Sequence, residues 1–106
     1  MEDVLTRLAA TIADRRGADP QTSHTAALLA RGPGKCAEKF GEEAVEAIVA
    51  AASLDREALV AEAADTIYHL LVMLAARDVA WEEVAAELAR REGRSGIAEK
   101  AARKEG

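Results

Sequence analysis

Aromatic residues are scarce in this chain: Phe40, Tyr68 and Trp81 are all it has, 3% of 106 residues. Cysteine is scarcer still. One cysteine, Cys36, excludes an intrachain disulfide and any cysteine-based zinc site. An excess of positive charge is also missing. The formal net charge of −5 argues against general nucleic-acid binding. The longest apolar run, around Ile67 to Ala76, is too short to span a bilayer. Met1-Glu2-Asp3 opens acidic and no apolar leader segment follows. The expectation is a soluble, cytoplasmic chain with neither a nucleic-acid nor a membrane partner.

What is present is aliphatic and small. Hydrophobic residues make up 50% of the chain, and alanine is very frequent among them. Thin side chains let helices pack closely, but a lone copy then buries little apolar surface, and small domains often make up the deficit by associating. The length suits one domain, residues 1–106. The expected architecture is all-α: a small helical bundle built on an antiparallel helix hairpin, dimerising into a larger bundle.

Helical periodicity and stop signals divide the chain. A first helix over 2–16 has Val4, Leu5, Leu8, Ala9 and Ile12 on one stripe, with Gly17 as its C-terminal cap. Ser23 caps a short helix over 24–30. Arg31-Gly32-Pro33-Gly34 then breaks the chain, as a connector or a mobile lid. A third helix spans 34–52, its buried side formed by Phe40, Ala44, Ile48 and Ala51 or by Val45, Val49 and Ala52. A fourth spans 56–77 with Asp55 as N-cap, apolar almost all round from Ile67 to Leu74, which suggests burial in a subunit interface. A fifth spans 81–92, although Ala80 offers no capping oxygen. Ile97 to Arg103 suit a short final helix.

The third and fourth helices carry the chemistry. Glu43 and Glu46 are three apart, as are Glu62 and Asp65, so each pair shares one helix face. With the turn centred on Leu54, Glu46 faces Glu62 and Glu43 faces Asp65, about 12 to 16 Å from the turn at 1.5 Å per residue. Pointing inward, the four form an acidic square. Each close pair of such charges costs about 4 kcal/mol at 4 Å and an effective dielectric of 20, so the group either takes up protons or binds a cation. All-oxygen ligands suit Mg²⁺ or Mn²⁺, and carboxylate-held Mg²⁺ usually completes its shell with water and substrate phosphates. A di-iron site is excluded because Thr66, not Glu, stands three before His69.

Lys35 and Lys39 stack below the square. They lie in the half of the helix where cations oppose the macrodipole, so phosphate contact is one reason for them; pairing with Glu38, Glu42 and Glu43 is the other. His69 shares the face of Asp65 or is a partly buried histidine bonded to a neighbour. Arg91, Arg94, Lys100 and Arg103 make the C-terminal stretch basic, as a solvated end or a phosphate contact.

The spacing Glu43-x-x-Glu46, then Glu62-x-x-Asp65, resembles the signature of the MazG-like all-α nucleoside triphosphate pyrophosphatases. Ser23-His24-Thr25, Lys39-Phe40-Gly41-Glu42-Glu43-Ala44-Val45-Glu46, Asp65-x-x-Tyr68-His69-Leu70-Leu71 and Ser95 to Arg103 resemble one branch of it, the phosphoribosyl-ATP pyrophosphohydrolase family. Two positions depart from that pattern, His24 where tyrosine is expected and Ala80 where serine is. The resemblance implies a cytoplasmic dimer that, with Mg²⁺, cuts phosphoribosyl-ATP between its α and β phosphates in the second step of histidine biosynthesis. On this reading Glu43, Glu46, Glu62 and Asp65 hold the metal, and the catalytic set adds Glu42, with the water oriented by Glu42 or by one of the four. Lys39, Lys35, Ser23, Thr25, His69 and Arg103 contact the substrate. A housekeeping nucleotide pyrophosphatase and a non-catalytic helical dimer module remain as alternatives.

Overall fold

A computed structural model describes residues 3–92; Arg94, Lys100, Arg103 and the expected helix over 97–103 lie outside the described residues. Five helices follow in order: α1 Val4–Asp14, α2 His24–Ala30, α3 Pro33–Ala52, α4 Arg56–Ala76 and α5 Trp81–Glu92. Among the described residues there is no strand, and the all-α expectation is borne out.

The boundaries follow from local chemistry. Asp3, Ser23 and Asp55 each accept a hydrogen bond from a main-chain N–H of the first turn they precede, those of Thr6, Ala26 and Ala58. Gly32 adopts φ +93° and Pro33 opens α3, so the Gly-Pro-Gly stretch is a tight connector from α2 to α3. The α3–α4 turn needs only Ser53, Leu54 and Asp55, with Leu54 at φ +61°. α5 starts where expected despite Ala80. The Ala80 N–H donates to the Glu83 carboxylate at 2.8 Å while the Glu83 N–H bonds the Ala80 carbonyl at 3.0 Å, the side-chain cap coming from inside the helix. α1 ends at Asp14, short of the expected Arg16; Gly17 turns the chain at φ +79°, and Arg16 reaches Asp78 at 2.9 Å.

α3 and α4 share the most extensive contact, and α1 and α2 pack on α4. The core gathers Ile12, Leu28, Cys36, Leu71 and Val72, with Leu8, Leu29, Tyr68 and Trp81 against it. It sits where the N-terminal end of α3 meets the C-terminal half of α4. The apolar girdle of α4 is therefore covered in part by this chain's own α1 and α2, so its burial does not by itself call for a second subunit. As a whole α4 has 21 residues and a mean hydropathy of 1.5 over its most apolar stretch, enough to cross a membrane by length and composition alone. It carries Glu62 and Asp65 and packs on three helices, as a core helix does.

The inward face of α3 differs from both expected stripes. Cys36, Phe40, Glu43, Ala47 and Ala50 are buried or half-buried, spaced four and three apart. Val45, Ile48 and Val49 are exposed, Ile48 to 66%. The seam with α4 takes small residues and carboxylates, which leaves the bulky aliphatics outside. Val60 and Ile67 on α4 are exposed too, so the hairpin presents an uncovered apolar surface well beyond the core.

Candidate metal centre

The seam explains how acids come to lie between two helices. Glu43 and Glu62 are half-buried, while Glu46 and Asp65 stand at its edge. One carboxylate oxygen each from Glu43, Glu62 and Asp65 lies within 4.8 Å of the other two. Glu46 lies close enough to both Glu43 and Glu62 to push their carboxyls up. Of the four acids of the expected square, three form a ligand-spaced group, and Glu46 stands near enough to act on Glu43 and Glu62.

The electrostatics match the crowding. Burial, then Glu46, Asp65 and Glu62, push the Glu43 carboxyl above its usual range. Burial, then Glu46 and Asp65, do the same to Glu62. Glu62 Oε2 is buried without a hydrogen-bond partner. An orphaned anionic oxygen beside other carboxylates calls for a proton or a cation. Three oxygens within 4.8 Å of one another have a common point no more than about 2.8 Å from each, against 2.0–2.1 Å for Mg–O bonds. Small side-chain rotations close that gap, so the donor set fits a hard divalent cation.

Around this cluster the other expected residues take definite positions. Lys39 pairs with Glu42 at 3.3 Å and Lys35 with Glu38 at 3.1 Å. Such pairs are nearly neutral in energy and exchange readily. Glu42 is exposed and is not one of the three ligand-spaced acids. Ser23 Oγ accepts the Ala26 N–H at 3.1 Å, and the Thr25 and Tyr68 hydroxyls bond each other, tying α2 to α4. His69 is 7% exposed, stacks edge-on against Tyr68 and has its Nδ1 buried without a partner. Burial, then Lys39, pushes its imidazole below the usual range against the pull of Asp65. It is therefore neutral near pH 7. His24 and Glu42 also act on it, so α2, α3 and α4 converge at this point.

Cys36 donates its thiol to the Leu28 carbonyl at 3.3 Å, and burial pushes its pKa up, so it is an inert core residue. A cavity of about 370 Å³ between α1, α4 and α5 holds Thr6, Ala9, Ala13 and Trp81 and lies apart from the acids.

Thr66 belongs to the centre and was not singled out from the sequence. Its hydroxyl contacts the main-chain carbonyls of Glu62 at 2.7 Å and Glu43 at 3.1 Å. The signal was available: Thr66 lies four after Glu62, where threonine back-bonds in helices, and next to Asp65, which faces Glu43 across the turn at Leu54.

Known proteins carry the same chain almost end to end. A phosphoribosyl-ATP pyrophosphatase of Paracoccus denitrificans (strain Pd 1222) is 72% identical over 100 residues, covering 94% of this chain and 93% of that protein. One from Dinoroseobacter shibae (strain DSM 16493 / NCIMB 14021 / DFL 12) is also 72% identical, covering 94% and 98%. One from Ruegeria pomeroyi (strain ATCC 700808 / DSM 15171 / DSS-3) is 67% identical over 103 residues, covering 97% and 98%. Residues 5–92 match the phosphoribosyl-ATP pyrophosphohydrolase family, and with these relatives the match establishes that the chain belongs to that family.

Proposed function

We propose that this protein hydrolyses phosphoribosyl-ATP between its α and β phosphates, giving phosphoribosyl-AMP and pyrophosphate in histidine biosynthesis, as a cytoplasmic homodimer that uses Mg²⁺ or Mn²⁺. The observation that carries the reading is the meeting of carboxylates from both arms of one hairpin, with an orphaned oxygen among them, in a chain of this family.

Glu43, Glu46, Glu62 and Asp65 are the residues to hold the ion. Bound there, a divalent cation would neutralise phosphate oxygens and support the leaving pyrophosphate. Lys39 has its stem half-buried against the helix and only a weak pair with Glu42 to give up. On moving to a phosphate oxygen, Lys39 releases the Glu42 carboxylate, which is then free to accept a proton from the attacking water. That water oxygen forms the new bond to phosphorus in line as the bridging P–O bond breaks. The neutral His69, buried beside Tyr68, would add no charge to the site. The Ser23 hydroxyl keeps a proton to donate, since its oxygen accepts from Ala26. The outward stripe of Val45, Ile48 and Val49 supports the homodimer, because a water-exposed aliphatic face on so small a core is costly.

Pyrophosphate release from phosphoribosyl-ATP and from a panel of dNTPs, with Mg²⁺ and with EDTA, tests the proposal. Turnover of phosphoribosyl-ATP above every dNTP, lost in EDTA and in Asp65→Asn, is the expected result. Preference for dNTPs would replace it with a housekeeping pyrophosphatase. Absence of turnover on any nucleotide would leave a helical interaction module.

A further inference from the structure

We propose that Thr66 is a positioning residue for the ion centre: by bonding both arms of the hairpin, its hydroxyl sets the spacing of the carboxylates that bind the cation. The inference rests on the reading of the acidic cluster as a divalent-cation site.

A threonine inside a helix commonly bonds the carbonyl one turn back, and the 2.7 Å contact of Thr66 with Glu62 is of that kind. The second contact is different. At 3.1 Å it reaches the Glu43 carbonyl on the other helix. The hydroxyl has one proton to share between the two carbonyls, each of which has a second lone pair to offer. Both carbonyls belong to residues whose side chains enter the cluster, so a shift of either backbone moves an acid directly. Between this level and the turn the seam provides little steric keying, since Ala47, Ala50 and Ala63 are small and permit the helices to slide or part. Mutual repulsion of the carboxylates pushes the arms apart at the same height. The Thr66 bond opposes that push where it acts, which keeps the ligands within closing distance of an ion.

Mn²⁺ binding, followed by loss of the free-ion electron paramagnetic resonance signal without substrate, separates positioning from mere stability. Thr66→Val keeps the shape and removes the hydroxyl; Thr66→Ser keeps the hydroxyl. The expected result is Mn²⁺ affinity about tenfold weaker in T66V, the low end for losing an outer-shell partner, with native affinity in T66S. In turnover, T66V should need more metal for half-maximal rate and reach the native rate at saturation. Native Mn²⁺ affinity in T66V overturns the inference even if its unfolding midpoint falls, and leaves the ion site standing. Equal weakening in T66S also overturns it, by showing that the loss does not depend on the hydroxyl. If T66V does not fold, Thr66→Ala takes its place with the same expected loss. If the native chain binds no Mn²⁺ at all, the ion site itself fails, and this inference with it.

Discussion

Neutralising one acid of the cluster should move stability and ion binding in opposite directions. Consider Glu43→Gln. In the ion-free protein the Glu43 and Asp65 carboxylates approach to within 4.8 Å, and two unit charges at that range repel by about 3.5 kcal/mol at an effective dielectric of 20. Asp65 is exposed and Glu43 only half-buried, so solvent screening leaves about 1 kcal/mol of that cost at neutral pH. An amide removes the repulsion and adds a donor toward Glu46. Ion-free E43Q should therefore unfold about 4–8 °C higher than the native chain in EDTA. The same substitution deletes a proposed ligand, so Mn²⁺ affinity should fall more than tenfold and the stabilisation by added metal should disappear. Circular dichroism melts with EDTA and with Mn²⁺, on both proteins, provide the four midpoints needed. A lower ion-free midpoint for E43Q, or an unchanged response to Mn²⁺, would refute the argument that these acids crowd one another for the sake of a cation.

The remaining predictions concern protons, packing and assembly. Because the folded-state pKa of Glu43 is raised above its ordinary 4.5, its cost is absent below about pH 4.5 and appears as the pH rises through the raised value. The stability gain of E43Q in EDTA should thus vanish as the pH falls to that point; a gain independent of pH would contradict the linkage. Ile12, 1% exposed at the centre of the core, should cost about 3 kcal/mol on replacement by alanine, read from urea unfolding; a loss under about 1 kcal/mol would show that α1 is not needed to close the core. Val49→Asp places a charge on the exposed stripe of α3 and should convert the proposed homodimer to monomer in light scattering, with helix content kept; a dimer that survives would move the interface elsewhere.

Much of this architecture was readable because its signals are local. Ser23 and Asp55 cap the helices that their residue types announce, and three residues around Leu54 suffice for the hairpin turn. Mirror positions across that turn put Glu43, Glu46, Glu62 and Asp65 at one level without knowledge of any other helix. On α3 hydrophobicity is only a partial guide to burial: Phe40 and Ala44 of the first expected stripe are half-buried, but Ile48 and Ala51 are exposed. Here the seam prefers thinness to apolarity, so Ala47, Ala50 and Glu43 go in while Val45, Ile48 and Val49 stay out. Thr66 was passed over for a different reason. Nothing in a threonine's identity tells whether its hydroxyl serves only its own helix or reaches the neighbour; that depends on interhelical distance. The start of α5 combined both cases, since Glu83 supplied from inside the helix what Ala80 could not.

The hairpin also bears on how this protein folds. Every proposed ligand of the centre lies within one stretch from Glu43 to Asp65, and the loop that must close to unite them is three residues long. Closing so short a loop costs little chain entropy, whereas docking α1 or α5 requires ordering far more of the chain. The arms can therefore meet, and a cation can bridge them, while the remaining helices are still unplaced. In a cell rich in divalent ions, the cofactor would then double as a folding aid, holding together two rods that, left bare, repel.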